Sequence, residues 1–176
     1  MEYLFYTRNN GPLGSVLCLP VGLTWECWKP SGREIIPRGL SLAPFAVWWL
    51  FHRLAIFSNT GYSLVLIRSA GRIIHRSCVF PKYFRFPFMQ AADLQVGDTY
   101  TDEEFRGRGL ASLALQYALE SAIPEGRLVW YVVEETNTAS VRVAEKCGFR
   151  CLGRGVRTRP LGLAPVGQFR LLTRES

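Results

Sequence analysis

The sequence predicts an α+β domain with both antiparallel and parallel strand pairs, on three observations. Two β-rich runs, residues 62–69 and 72–80, are separated only by Ala70-Gly71, which predicts an antiparallel hairpin. A third run, 93–101, is followed by a helical pattern over 109–123 and a strand pattern over 127–133. Strand, crossover helix and strand at that spacing form a parallel pair with a right-handed crossover. A second helical stretch, 138–147, then leads into two more strand-like runs, 149–156 and 166–172.

The length of 176 residues suits one domain over 1–176 with one sizeable core. With 48% hydrophobic and 20% charged residues the chain is globular rather than disordered. Its net charge of +7, from 21 basic and 14 acidic residues, favours anionic partners. The cysteines, Cys18, Cys27, Cys78, Cys147 and Cys151, are odd in number and include no CxxC. His52 and His75 lie far apart, so zinc-ligand spacings are missing and no metal site is expected. Free thiols in a reducing cytoplasm are the natural reading, and the N-terminal MEYLFYTRNNG lacks a secretory layout. A cytoplasmic protein is expected.

Taken in order, residues 1–22 are mixed, and Leu23–Trp28 alternates enough to be the first strand. Ser41 is a candidate N-cap for a helix to about Phe57. Its aromatics Phe45, Trp48, Trp49 and Phe51 wrap around it, as in a core helix that also lines a cleft. The segment 40–57 carries Pro44, His52 and Arg53 and is too short to span a bilayer. Peripheral membrane contact through Trp48 and Trp49, with Arg53 nearby, is the alternative. After the hairpin, Pro81–Met89 is dense in aromatics and holds two prolines, which predicts a loop packed over the sheet and shaping a cleft.

The chain is organised around Asp98–Ala118. There a strand runs into the turn Arg106-Gly107-Arg108-Gly109-Leu110-Ala111, which opens a helix with Leu110, Leu113, Ala114, Tyr117 and Ala118 on one face. Free N–H groups at a helix start attract anions, and glycines let a ligand approach the backbone. A Walker-type G-x-x-x-x-G-K-[ST] is absent. Ser112 stands where a dinucleotide-binding turn needs its third glycine.

Arg106-x-x-Gly109-x-Ala111 resembles the Q/R-x-x-G-x-G/A motif of GNAT N-acetyltransferases. Asn137-x-x-Ser140 followed by Glu145-Lys146-Cys147-Gly148-Phe149 is similar to their second motif, an Asn-initiated helix closing on K-x-G-F. The resemblance covers roughly residues 62–173. It implies a mixed, mostly antiparallel sheet flanked by helices, whose central parallel pair splays apart to admit acetyl-CoA. Thr99, Tyr100 and Thr101 would pair with the pantetheine arm. Arg106, Gly107, Arg108, Gly109, Leu110 and Ala111 would face the pyrophosphate, with Asn137 and Ser140 also in the cofactor site. Homodimers are common in such a family, although no residues here mark an interface.

In such enzymes an amine attacks the thioester of acyl-CoA. An amine of pKa about 10.4 is only about one part in 2,500 neutral at pH 7, so a base is useful. Candidates are Asp98, Glu134 and Glu135, with Asp98 first. Thr99 and Thr101 share one strand face, so Asp98 points away from them unless a bulge intervenes. A backbone N–H near Thr101 can stabilise the oxyanion. The family's tyrosine acid falls on Ala144, which leaves Tyr100, Tyr131 or a water to donate the proton. His75, in mid-strand, reads as a packed sheet residue rather than a base. Aromatics at 81–88 together with Arg154, Arg157 and Arg159 favour an amino sugar as acceptor, nucleotide- or lipid-linked. A protein N-terminus, a lysine or a small amine is the alternative, and a non-catalytic CoA-binding module is the rival class. No RNA- or DNA-recognition motif appears, so no specific nucleic-acid partner is expected.

Overall fold

The computed structural model describes residues 1–12, 17–32, 34–158 and 167–174. Its strands are β1 (Glu2–Asn9), β2 (Leu23–Trp28), β3 (Ser63–Ser69), β4 (Arg72–Pro81), β5 (Leu94–Thr101), β6 (Leu128–Glu134), β7 (Arg150–Arg157) and β8 (Phe169–Arg174). They form one sheet in the order β2-β3-β4-β5-β6-β1-β7-β8, and only β5 and β6 pair in parallel. The helices are α1 (Leu42–Arg53), α2 (Leu110–Tyr117) and α3 (Thr138–Lys146). The fold is thus mixed α+β with a mostly antiparallel sheet.

The alternation of side chains along β3 divides the core. Val65 and Ile67 face one side, where α2 and α3 pack with Val79, Val96 and Phe149. Leu64 and Leu66 face the other, with Cys78, Phe80 and Trp130 under α1 and the 82–92 loop. That loop packs inward as expected: Tyr83, Phe86 and Met89 are buried. The carboxylate of Asp93 anchors it, accepting from the Gln90 N–H at 2.8 Å and from Trp130 Nε1 at 2.9 Å.

Two sequence expectations need correction. The first strand is not 23–28 but Glu2–Asn9, and it lies in the middle of the sheet, antiparallel to both β6 and β7. Tyr3-Leu4-Phe5-Tyr6 is an unbroken apolar run, the pattern of a strand covered on both faces, so it shows no alternation to find. The first helix ends at Arg53, short of Phe57, because Ala55 adopts a positive φ of 52° and the chain turns. Ser41 holds the N-cap position as expected, but its hydroxyl donates to the Ala43 carbonyl instead of accepting from a helix N–H.

The crossover helix is shorter than the 109–123 pattern. After Tyr117 it relaxes into a wider π-type turn over Ala118–Ala122 before Pro124. Helix α3 follows its local signals closely. Asn137 accepts from the Ser140 N–H at 3.1 Å, Gly148 takes φ +76°, and Phe149 is buried behind it. Arg159 and most of the loop it belongs to lie outside the described residues. Among the described residues no helix is long and apolar enough to cross a membrane.

Candidate active site

β5 and β6 stay together for only three residue pairs, Leu94–Val129, Gln95–Trp130 and Val96–Tyr131, and then part. A bulge in β5 accompanies the separation. His75 pairs with Thr101 and Arg76 with Tyr100, but Cys78 pairs with Gly97, so Asp98 and Thr99 together oppose Ser77. Asp98 carries the extra turn with φ +46°, an uncommon conformation for any side chain larger than glycine. The bulge sets Asp98 and Thr99 toward different neighbours. The Asp98 carboxylate meets Arg76 Nε at 3.4 Å and the Cys78 thiol at 3.6 Å. The Thr99 hydroxyl meets that of Ser77 at 3.1 Å.

Two clefts meet where the strands part. The larger, about 590 Å³, runs from Thr99 and Thr101 past Arg106, Gly107 and Gly109 to Ser140 and Val143. The smaller, about 250 Å³, lies between Tyr3, Asp98, Tyr131 and Glu134. Thr99, Asn137 and Ser140 line both. Tyr131 lines the small cleft together with Thr99 and Ser140, the residues shared with the large one. Burial raises its pKa above 10.0, and the Ser140 and Thr99 side chains oppose the rise.

At the far end of the large cleft, Gly109 caps α2 with φ +74°. The first helical bond runs from the Leu113 N–H to the Gly109 carbonyl, leaving the N–H groups of Leu110, Ala111 and Ser112 ahead of it. A side chain added at Gly107 or Gly109 meets nothing within 4 Å, so both glycines border open space. The turn thus presents free N–H groups to open space, a geometry that suits an anion.

The two arginines of the turn differ. Arg106 lines the cleft, donates to the Thr101 carbonyl at 3.1 Å and pairs with Glu103 at 3.3 Å. Arg108 instead donates to the Glu104 carbonyl at 3.1 Å and lies over the Phe105 ring at 5.0 Å. Tyr100 lines the large cleft but not the small one, with the guanidiniums of Arg76 and Arg106 at 4.9 and 6.0 Å from its ring. Glu134 faces the small cleft and accepts from the Tyr3 hydroxyl at 3.3 Å. Glu135 points elsewhere, paired with Arg154 at 3.0 Å. Asn137 spends its side-chain oxygen on capping α3. Ala144 is fully buried. Sequence reasoning missed Tyr3, because it sits on the unrecognised strand.

Behind the junction lies a buried polar chain. His75 Nδ1 is 2.8 Å from the Thr101 hydroxyl and its Nε2 is 3.0 Å from that of Ser77, which continues to Thr99. Burial, with a smaller push from Arg76, lowers the His75 pKa to about 4, so the ring is neutral at pH 7. The folded value lies below the unfolded one of about 6.5, so the folded state binds the proton less well. Its contribution is fully present above about pH 6.5 and is lost as pH falls toward 4. Urea titrations should therefore show stability falling by about 3 kcal/mol across that window, and a His75→Gln variant should remove most of the slope. An unchanged slope would locate the acid sensitivity elsewhere.

Residues 26–149 match the Acetyltransferase (GNAT) family. The chain belongs to the GNAT acetyltransferase family. The matched range contains the turn, the bulge and, apart from Tyr3, the lining of both clefts; it begins after β1 and stops short of β7. Among solved structures, this GNAT chain is similar to a GNAT-family acetyltransferase of Colwellia psychrerythraea (14% identity, TM-score 0.56, covering 85% of this chain and 52% of that one). It is also similar to a GCN5-related N-acetyltransferase of Sphaerobacter thermophilus (18%, 0.56, 87% and 49%). A GNAT-family protein of Novosphingobium aromaticivorans is a third (16%, 0.54, 87% and 61%). At these identities the likeness is one of fold. The chain spans 49–61% of the length of those three proteins. No curated protein matches its sequence at a significant level.

Proposed function

We propose that this GNAT domain transfers an acetyl group from acetyl-CoA to a primary amine. The observation that carries the reading is the meeting of two clefts at the split between β5 and β6, where Thr99, Asn137 and Ser140 belong to both. A donor whose phosphates rest on the turn at 106–111 extends its reactive arm along Thr99–Thr101 to that junction. An acceptor in the small cleft meets it from the other side.

The acceptor enters as an ammonium ion between the carboxylates of Asp98 and Glu134, which line the small cleft. Asp98 takes the proton, and Glu134 holds the cation opposite it. The neutral nitrogen attacks the thioester carbonyl, the carbon–sulfur bond breaks, the thiolate takes a proton from the Tyr131 phenol, and the second proton leaving the nitrogen restores that phenol. Tyr131 thus supplies the acid that Ala144 does not. Tyr131→Phe keeps the ring and the packing, so KM for acetyl-CoA stays unchanged while kcat falls about tenfold or more. A rise in KM with kcat intact would make Tyr131 part of donor binding instead.

The two carboxylates favour a compact cationic amine. Of the 81–88 aromatics on which the amino-sugar expectation leaned, Tyr83 and Phe86 are buried, Phe84 is exposed, and none lines either cleft. A reducing cytoplasm keeps the five cysteines as free thiols, and we place the reaction there. Thiol release from acetyl-CoA across a panel of small amines, amino sugars and lysine peptides tests the reading. Release with at least one amine class is expected. Acetyl-CoA binding with no release from any class would leave a CoA-binding module in place of an enzyme.

A further inference from the structure

We infer that the solvent face of α1 docks on an anionic bilayer surface. This stands apart from the acetyl-transfer reading, since it uses a different part of the molecule. Helix α1 is apolar on both sides. Its inner side packs through Phe45, Trp48 and Phe51 against Phe80, Phe57 and Tyr83. Its outer side carries Val47 and Leu50, with Leu54 at the C-cap, at spacings of three and four, exposed by 48%, 45% and 61%. Ile56 and Phe84, exposed by 41% and 43%, extend the patch, and Phe84 lies 6.2 Å from Phe51. A helix that is apolar all round is ordinarily covered on every side.

Charge selects the cover. Between Glu34 and Asp93 the chain holds no acidic residue and seven basic ones: Arg38, Arg53, Arg68, Arg72, Arg76, Lys82 and Arg85. That segment's charge of +7 equals the net charge of the whole chain. Arg68, Arg72 and Arg76 pair with carboxylates from outside the segment. Arg53, beside Leu54, and Lys82, near Phe84 in sequence, have no carboxylate partner among the described residues. A second copy of the chain would bring the same positive segment against itself and be repelled. An anionic lipid surface accepts both the apolar stripe and the charge. The inserting residues differ from the tryptophans expected from sequence. Trp48 stacks edge-on against Phe80 at 4.8 Å, and Trp49 Nε1 donates to the Ser31 carbonyl at 3.3 Å.

Co-sedimentation of the full chain with phosphatidylglycerol–phosphatidylcholine vesicles tests the inference. Binding to these vesicles, weakened by salt and much weaker on pure phosphatidylcholine, is expected. Leu50→Glu and Leu54→Glu should each lower the vesicle partition coefficient about tenfold. Both positions are exposed, so the melting temperature and its response to acetyl-CoA should stay at the wild-type values, and either variant suffices if the other fails to fold. No binding to anionic vesicles, or binding indifferent to both substitutions, would overturn the inference. So would a dimer in analytical ultracentrifugation that Leu50→Glu dissolves, since α1 would then be a self-interface.

Discussion

Replacing Gly109 by tryptophan abolishes the rise in melting temperature that acetyl-CoA gives the wild-type chain. At a ligand concentration about 100 times Kd, mass action adds about 2.7 kcal/mol, or roughly 5–10 °C for a domain of this size. The position is open, with no atom within 4 Å of an added Cβ, so the indole occupies the space in front of the Leu110, Ala111 and Ser112 N–H groups. The positive φ of +74° also strains any side chain there, by about 1–2 kcal/mol. The ligand-free variant therefore melts lower, and the relevant quantity is the ligand-induced difference. Gly126→Trp is the matched control. It too has a positive φ, +78°, and open space, but it lies outside both clefts. It should lose stability and keep its response to acetyl-CoA. If the rise survives in Gly109→Trp, the donor's phosphates do not sit on this turn.

Asp98→Asn lowers kcat about a hundredfold near pH 7 and changes the shape of the pH profile. Asparagine matches aspartate in size and tolerates the positive φ of 46° at the bulge, so the strand geometry is preserved while the proton acceptor is lost. In the wild type the base removes the proton from the bound ammonium, so the rate depends less steeply on pH. In the variant only acceptor already present as free amine reacts, so the rate climbs about tenfold per pH unit from 7 to 9. Asp98 also accepts from Arg76 and Cys78, and the melting temperature tells lost chemistry from lost packing. A non-glycine residue held at positive φ where two strands part is strain kept at a site, a further reason to assign Asp98 the base. A kcat and a profile both unchanged would remove it from the mechanism and turn attention to Glu134.

Local chemistry made much of this legible from sequence. The Gly-rich turn, the start of the crossover helix, the Asn137 cap and the Gly148 stop each depend on residues a few positions apart, and each lies where it was expected. The hairpin of β3 and β4 followed from two β-rich runs and a short turn. The features that went unread are non-local. β1 is an unbroken apolar run whose partners lie over 100 residues away. The bulge at Asp98 exists only relative to Ser77 on the neighbouring strand. Tyr131, Thr99 and Ser140 come from three elements, and only the split of the parallel pair brings them together. Helix α1 packs its aromatics into the core as expected, and what went unread is the aliphatic residues left outside, Val47, Leu50 and Leu54.

A crystal structure with acetyl-CoA bound tests the central claim most directly. The expected result places the pyrophosphate against the N–H groups of 106–111 and the thioester carbon at the junction of the two clefts, within reach of the Tyr131 phenol, with Asp98 facing it from the small cleft. A donor bound elsewhere, or one whose thioester stops short of Thr99 and never reaches the split between β5 and β6, would contradict it.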